Sequence, residues 1–193
     1  MDVLKQRIIS EGRNLGRGIL KVDSFLNHQV DPGLIDACGR ELARRLRHVG
    51  ATKVLTAEIS GIAPAVATAL HLGVPVVYAR RTRPVTMPDQ VLLTVAPSHT
   101  RGHTIELIIS PEYVRADERV LIVDDFLATG QTILGLARLT SAAGATLVGV
   151  GTVIEKLFEG GRRALETLAV PVASLAVVTD MSDGKIILAE ADA

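Results

Sequence analysis

Short apolar runs alternate with segments of helical spacing along most of the chain. The runs have the length of buried strands and occupy residues 53–57, 74–79, 119–123, 146–154 and 174–178. Between them, apolar positions recur at intervals of three and four, which predicts helices at residues 32–49, 64–72, 131–143 and 162–168. This alternation predicts an α/β fold: a doubly wound, mainly parallel sheet with flanking helices.

The start and stop signals of the first predicted helix are unusually clear. Asp31 has the side chain of an N-cap, and Pro32 suits the first helical position. Gly50 follows the last apolar position and suits a left-handed stop. Gly144 ends the helix predicted at residues 131–143 in the same way.

Two regions depart from the alternating pattern. Residues 1–30 fit it poorly and are expected to form a small cap, together with a last strand at residues 185–189. Residues 80–89 are basic and contain Pro84 and Pro88, which favours a mobile loop. Residues 91–95 and 104–109 are expected to pair as a hairpin over the sheet. We therefore predict one domain over residues 1–193, with a cap at about 1–30 and a loop and hairpin at about 80–105.

Composition indicates the kind of core and excludes some kinds of partner. Apolar residues make up 48% of the 193 positions and aromatic residues only 3%, so the core is aliphatic, as in buried parallel sheets. Lys plus Arg and Asp plus Glu both total 21, which leaves no broad basic field for non-specific nucleic-acid binding. No apolar run approaches the ~20 residues that cross a bilayer. We expect a cytoplasmic protein without nucleic-acid or membrane partners, and a buried Cys38.

The segment at residues 120–132, VLIVDDFLATGQT, carries the clearest chemical signal. An apolar strand leads into Asp124 and Asp125, and ligands bind at the carboxyl ends of strands in open α/β sheets. Adjacent carboxylates are costly unless a cation or hydrogen-bond donors meet them. The hydroxyl groups of a ribose, with Mg²⁺ held nearby, meet that need. A purely structural strand and turn, with Asp125 as an Asx cap, is the alternative.

Two segments suit phosphate groups. Residues 128–132 supply successive backbone N–H groups at a helix start, and Gly130 is free to adopt unusual dihedral angles. Residues 58–64, EISGIAP, place small residues around Gly61 at another helix start. The second segment alone is also compatible with an ordinary turn between strand and helix.

The segment at residues 120–132 resembles the phosphoribosyl pyrophosphate (PRPP) signature of type I phosphoribosyltransferases. Residues 20–29, 58–66, 73–80 and 153–156 extend the resemblance to family members that act on xanthine. It implies a homodimer, Mg²⁺ carried by PRPP near Asp124 and Asp125 without direct protein ligation, and a cis peptide bond from Glu58 to Ile59. The implied catalytic residues are Asp124, Asp125, Arg80 and Arg81, with Arg80 or Arg81 reaching in from a partner subunit. The implied PRPP-binding residues are Ser60, Gly61, Ala128, Thr129, Gly130, Gln131 and Thr132, and the implied purine-binding residues are Leu20, Asn27 and Lys156.

The resemblance implies transfer of the 5-phosphoribosyl group of PRPP to N9 of xanthine. Transfer to guanine or hypoxanthine, and a PRPP-sensing regulator without activity, are the alternatives. Apart from the resemblance, Glu155 and Lys156 at a strand end suggest a solvated pair, and Lys156 is expected just past that strand. Arg80, Arg81 and Arg83 equally suit a solubilising surface run.

Overall fold

The computed structural model describes residues 1–97 and 104–190. Its first half contains, in chain order, α1 (Asp2–Glu11), β1 (Arg13–Asn14), β2 (Leu20–Lys21), α2 (Pro32–Leu46), β3 (Lys53–Ala57), α3 (Ile62–Leu72), β4 (Val76–Ala79) and β5 (Leu92–Pro97). The second half contains β6 (Thr104–Ile109), β7 (Arg119–Leu127), α4 (Gln131–Ala142), β8 (Thr146–Lys156), α5 (Gly161–Leu165), β9 (Val172–Asp180) and β10 (Ile187–Leu188). Strands and helices thus alternate, as the apolar pattern predicts.

The central sheet has the strand order β10-β9-β8-β7-β3-β4. All neighbours pair in parallel except β10, which runs antiparallel to β9. Successive residues of β3 and β7 point into different cores: Val54 and Leu121 into one, Leu55 and Ile122 into the other. The first core lies against α2 and α3, and the second against α4. Both faces of the sheet are therefore covered, which confirms the predicted doubly wound, mainly parallel sheet.

The predicted boundary signals of α2 are confirmed. The side chain of Asp31 accepts a hydrogen bond from the backbone N–H of Leu34 at 3.0 Å, and Pro32 is the first helical residue. A short 3₁₀ turn follows α2 and ends at Gly50, whose φ is 62°. Within residues 1–97 and 104–190, no helix combines the length and the apolar character needed to cross a membrane.

A cap and a hairpin extend the sheet at its two sides. The cap joins the chain ends: Lys5 Nζ donates to the Ala189 carbonyl at 3.0 Å, and Asn14 Nδ2 to the Lys185 carbonyl at 3.0 Å. Strands β5 and β6 form the predicted antiparallel hairpin, and Arg138 of α4 donates to the Val95 carbonyl at 2.9 Å. Residues 98–103, part of the predicted loop and hairpin, lie outside the described residues. The predicted mobility of the loop stays a prediction.

Several strands continue further than the sequence pattern predicts, and two of these extensions carry candidate site residues. Strand β7 passes through Asp124 and Asp125 to Leu127, and β8 ends at Lys156 itself. Pairing explains this extension, because Phe126 lies opposite Ile154 and Leu127 opposite Glu155. The polar residues that were expected after the strands are therefore held in the rigid sheet.

Gly39 allows α2 and α3 to pack closely, and its substitution tests that packing. A Cβ atom there would overlap the backbone carbonyl carbon of Ala67 in α3. We expect Gly39→Ala to lower the free energy of unfolding by about 1–3 kcal/mol, although Ala is favoured over Gly in helices by ~1 kcal/mol. Gly33→Ala in the same helix is the control, since its Cβ would meet only Asp31 Oδ1 at 3.5 Å. Equal unfolding midpoints for both variants would contradict the close packing.

Candidate active site

A cavity of about 280 Å³ opens at the carboxyl ends of β7 and β8. It collects nearly all of the predicted site residues, although they come from five separate parts of the chain. Those lining it are Leu20, Asn27, Ser60, Arg81, Asp124, Asp125, Ala128, Thr129, Gly130, Gln131, Thr132 and Lys156. Gly61 and Arg80 are the two predicted residues that do not line it.

The cavity exists because β7 extends several residues beyond the end of its pairing with β3. Pairing of β3 with β7 runs from Lys53–Val120 to Leu55–Ile122, whereas pairing with β8 continues to Leu127. The loop after β3 carries the Glu58–Ile59 peptide bond, which is cis as the resemblance implies. A Cβ atom on Gly61 would overlap Thr56 Oγ1 and Asp124 Oδ1. Only glycine therefore lets this loop lie so close to the acid pair, Asp124 and Asp125.

Asp124 and Asp125 are each only 7% exposed. Burial raises the pKa of Asp124 well above its usual value, and the neighbouring charge of Asp125 raises it further. The backbone N–H of Asp125, which donates to Asp124 Oδ1 at 3.0 Å, and the charge of Arg81 oppose this shift only in part. Asn27 of the cap donates to Asp125 Oδ2 at 3.0 Å. The pair thus has a deficit of hydrogen-bond donors and positive charge that a ligand can fill.

The predicted phosphate loop, residues 128–132, leads into α4. Gly130 is the N-cap residue with φ of 78° and carries no capping side chain, which suits the N–H groups of the first turn for an anion. Gly161 packs closely against this loop: a Cβ atom at Gly161 would overlap the carbonyl oxygen of Ala128. Sequence reasoning missed this support, although the Gly160-Gly161 pair was a visible signal.

Lys156 is buried and makes specific contacts. Its Nζ donates to the Gly18 carbonyl at 2.8 Å, lies 2.5 Å from Glu159 Oε1, and sits 5.8 Å from the Phe126 ring centroid. Its neighbour Glu155 is 1% exposed and contacts Arg162 and Ser174 instead. The solvated Glu155–Lys156 pair suggested by the sequence is therefore wrong.

The two arginines that were grouped in the sequence separate in space. Arg80 Nε lies 2.6 Å from Glu58 Oε1, and Arg80 lines a different cavity beside β4. Arg81 lines the acid-pair cavity of its own chain, and its backbone N–H donates to Glu58 Oε2 at 3.0 Å. Consecutive residues on an extended segment point in opposite directions, which explains the separation. Arg81 thus lines the cavity of its own chain. The contribution of Arg80 or Arg81 from a partner subunit stays a prediction.

Apolar side chains that sequence reasoning missed complete the cavity wall. Phe126 and Ile133 contribute from β7 and α4, Ile19 from the cap, and Pro97 and Ile105 from the hairpin. Phe126 was visible in the signature segment, directly after the acid pair. These side chains suit the faces of a flat ring, because ligand pockets combine apolar walls with a few polar groups.

The donor set limits how a metal can bind. Among residues 1–97 and 104–190, no three His, Cys, Asp or Glu side chains gather to form a metal site by themselves. Two adjacent carboxylates beside a phosphate loop do fit Mg²⁺, which usually keeps waters and phosphate oxygens among its ligands. Asp124 and Asp125 are the residues that would face such an ion.

Comparison with known proteins agrees with this geometry. Residues 31–175 match the Phosphoribosyl transferase domain family. The chain belongs to this family. It is 48% identical over 191 residues to the xanthine phosphoribosyltransferase of Deinococcus deserti, covering 99% of both chains. It is 47% identical over 186 residues to that of Oceanobacillus iheyensis, covering 96% of both.

Among solved structures, the adenine phosphoribosyltransferase of Thermoanaerobacter pseudethanolicus is similar in fold. The TM-score is 0.72 at 24% identity, over 90% of this chain and 98% of that one. The matched family range 31–175 contains the acid pair, both phosphate-compatible loops and Lys156. The cap residues Leu20 and Asn27 precede that range.

Asp124→Asn separates the functional role of the acid pair from its effect on stability. Because the folded-state pKa of Asp124 is raised, its ionised form destabilises the fold at neutral pH, and this cost fades as the pH falls through the raised pKa. Asn keeps an oxygen for the Asp125 N–H. We expect an unfolding midpoint at pH 7 equal to or above that of the wild type, and kcat/KM for PRPP lower by roughly 10–1,000-fold.

The control for this substitution is Asp117→Asn, which changes an exposed carboxylate and should alter neither quantity. Chemical denaturation at several pH values and steady-state kinetics measure the two effects. Wild-type kinetics in Asp124→Asn would remove its role toward the ribose, and a lowered midpoint at pH 7 would refute the electrostatic argument.

Proposed function

We propose that this phosphoribosyltransferase transfers the 5-phosphoribosyl group of PRPP to N9 of xanthine. The products are xanthosine 5′-monophosphate and pyrophosphate, as in purine salvage. One observation carries the proposal: a single cavity is lined by a buried acid pair, a glycine-capped helix start and a buried lysine. The xanthine phosphoribosyltransferases at 47% and 48% identity support the same reaction.

The reaction forms a bond between base N9 and ribose C1 and breaks the bond from C1 to pyrophosphate, which leaves with its electron pair. The base gives up its N9 proton. As the bond to pyrophosphate stretches, positive charge develops on the ribose. Asp124 and Asp125 accept hydrogen bonds from the ribose hydroxyls and lie where their charge stabilises that sugar. When bound with PRPP, Mg²⁺ supplies positive charge for the leaving group.

The two phosphate-compatible loops have separate tasks in this proposal. Residues 128–132 bind the 5-phosphate through backbone N–H groups and the hydroxyls of Thr129 and Thr132. Ser60 and the loop held close by Gly61 bind the pyrophosphate, and Arg81 adds charge beside it. When both ends of PRPP are held, its C1 atom lies in position against the base. Such positioning accelerates the reaction.

Lys156 is the residue that favours xanthine. Xanthine carries oxygens at C2 and C6, and it is the most acidic of the common purine bases. An ammonium group donates to such an oxygen and stabilises the anionic base. Guanine presents an amino donor at C2 and hypoxanthine only hydrogen, so a donor aimed at C2 disfavours both. Leu20 and Asn27 of the cap complete the base site in this proposal.

Two alternatives remain to be separated by assay. The same cavity suits a phosphoribosyltransferase for guanine or hypoxanthine, since these bases share the oxygen at C6. A PRPP-sensing regulator would bind PRPP without turnover, and the net charge of zero lends it no support as a nucleic-acid binder. A cytoplasmic location stays a prediction of the sequence.

We also propose that the chain forms a homodimer through the outer face of α3. Val66 and Leu70 lie one turn apart on α3 and are 51% and 73% exposed, and Ile59 in the loop before α3 is 75% exposed. These three residues are the apolar stripe. Exposed apolar stripes of this kind mark contact surfaces, and a second copy can present the same stripe about a two-fold axis. The loop that carries Ile59 also carries Ser60, so dimerisation would steady the pyrophosphate side of the site.

A panel of bases assayed with PRPP and Mg²⁺ tests the proposed reaction. We expect turnover of xanthine to exceed that of guanine and hypoxanthine, and Lys156→Met to lower xanthine kcat/KM by roughly 10–150-fold. The variant should change guanine and hypoxanthine turnover far less and leave the KM of PRPP nearly unaltered. Equal losses with all bases would show that Lys156 does not select the base. No turnover of any base would favour the sensor.

Sedimentation of stripe variants tests the proposed dimer. We expect the wild type to sediment as a dimer, and Leu70→Asp to shift it to monomer because a buried unpaired charge is costly in an interface. Val3→Asp on α1 is the control, since Val3 is similarly apolar and exposed but lies outside the stripe. A monomeric wild type, or a Leu70→Asp variant that still sediments as a dimer, would contradict the proposal.

A further inference from the structure

Two groups of this chain engage the ammonium group of Lys156. It donates a hydrogen bond to the carbonyl of Gly18 in the cap, at 2.8 Å, and forms an ion pair with Glu159 Oε1, at 2.5 Å. An ammonium group has three donors in a tetrahedral arrangement. Because Lys156 also lines the cavity, it has donor capacity for a ligand there.

Glu159 is itself held firmly in place. It ends the 3₁₀ turn Leu157–Glu159, and its side chain is largely buried against the turn before β2. There, a Cβ atom on Gly18 would lie 3.4 Å from Glu159 Oε1. Glu159 therefore has little freedom to leave Lys156.

The residues on both sides of this turn are anchored. Glu155 accepts from Arg162 Nε at 2.9 Å and from Ser174 Oγ at 2.6 Å, and Arg162 Nη1 donates to the Val172 carbonyl at 2.8 Å. These bonds join the end of β8 and the start of α5 to β9. The turn that carries Glu159 is thus fixed at both ends, independently of any ligand.

We propose that Glu159 is a positioning residue that determines base specificity through Lys156. It rotates the ammonium group so that a single N–H faces the base, and it offsets the lysine charge while the site is empty. A buried lysine without this partner would be an unpaired charge, and would favour any anion over an oriented carbonyl oxygen. This inference rests on the proposed function, because it assigns Glu159 a role only if Lys156 contacts the purine.

Kinetics of three Glu159 variants test the proposal. We expect Glu159→Ala to raise the KM of xanthine roughly 10–100-fold and to lower the preference for xanthine over hypoxanthine by a similar factor. The KM of PRPP should stay within about twofold. Glu159→Gln keeps an oxygen acceptor and should recover most of the preference. Glu159→Asp keeps the charge but withdraws the oxygens, and should lose part of it.

Glu166→Ala is the matched control, since Glu166 is exposed in the neighbouring turn and should behave as wild type. Should Glu159→Ala not fold, Glu159→Asp carries the same test. A double-mutant cycle adds a direct criterion: in a Lys156→Met background, Glu159→Ala should change xanthine kcat/KM by less than about twofold.

The possible outcomes distinguish the role of Glu159 from the proposed function. Loss of preference in Lys156→Met but not in Glu159→Ala or Glu159→Asp would overturn the role of Glu159 and leave the proposed function intact. An unaltered Lys156→Met enzyme would overturn the roles of both Lys156 and Glu159, whereas only a failure to use xanthine would overturn the proposed reaction. Equal rises in the KM of xanthine and of PRPP in the Glu159 variants would show a general structural role, and would also refute the proposal.

Discussion

The burial of two adjacent carboxylates in β7 is the constraint on which the rest of the site depends. Asp124 and Asp125 are held in the strand itself, where burial and mutual repulsion disfavour ionisation of Asp124. The surrounding groups reduce this cost without removing it: Asn27 donates to Asp125, and Arg81 contributes charge. The fold thus retains an electrostatic deficit that ribose hydroxyls and a cation can fill, which is a common relation between stability and function in enzymes.

Close backbone approaches bring the other groups to the acid pair. Gly61 brings the loop after β3 against Asp124, and Gly161 supports the loop that begins α4. The connection between β8 and β9 contacts two parts of the cavity wall, because Gly161 lies against Ala128 and Glu159 contacts Lys156. A displacement of this connection would therefore affect both parts together, which makes its anchoring by Arg162 important.

Local sequence signals predicted what depends on local structure. Strand β3 and the cap of α2 at Asp31 follow directly from apolar pattern and capping chemistry, and the signature segment predicted the helix that begins after Gly130. The length of β7 was not predictable, because a pair of acids is a typical strand end, whereas here pairing with β8 and donors distant in sequence stabilise the extension. Glu159 is hidden in part for the same reason, because Gly18, which meets the Lys156–Glu159 pair, is distant in sequence. Arg80 and Arg81 look equivalent in sequence, and only the strand geometry separates them.

One cavity is proposed to hold phosphate, ribose and base through these residues together. A crystal structure with bound xanthosine 5′-monophosphate is the sharpest test, since this one molecule contains all three parts. We expect the phosphate on residues 128–132, the ribose hydroxyls within hydrogen-bond distance of Asp124 or Asp125, and the base beside Lys156. A nucleotide bound with its base at the phosphate loop, or with its ribose away from both carboxylates, would contradict the account.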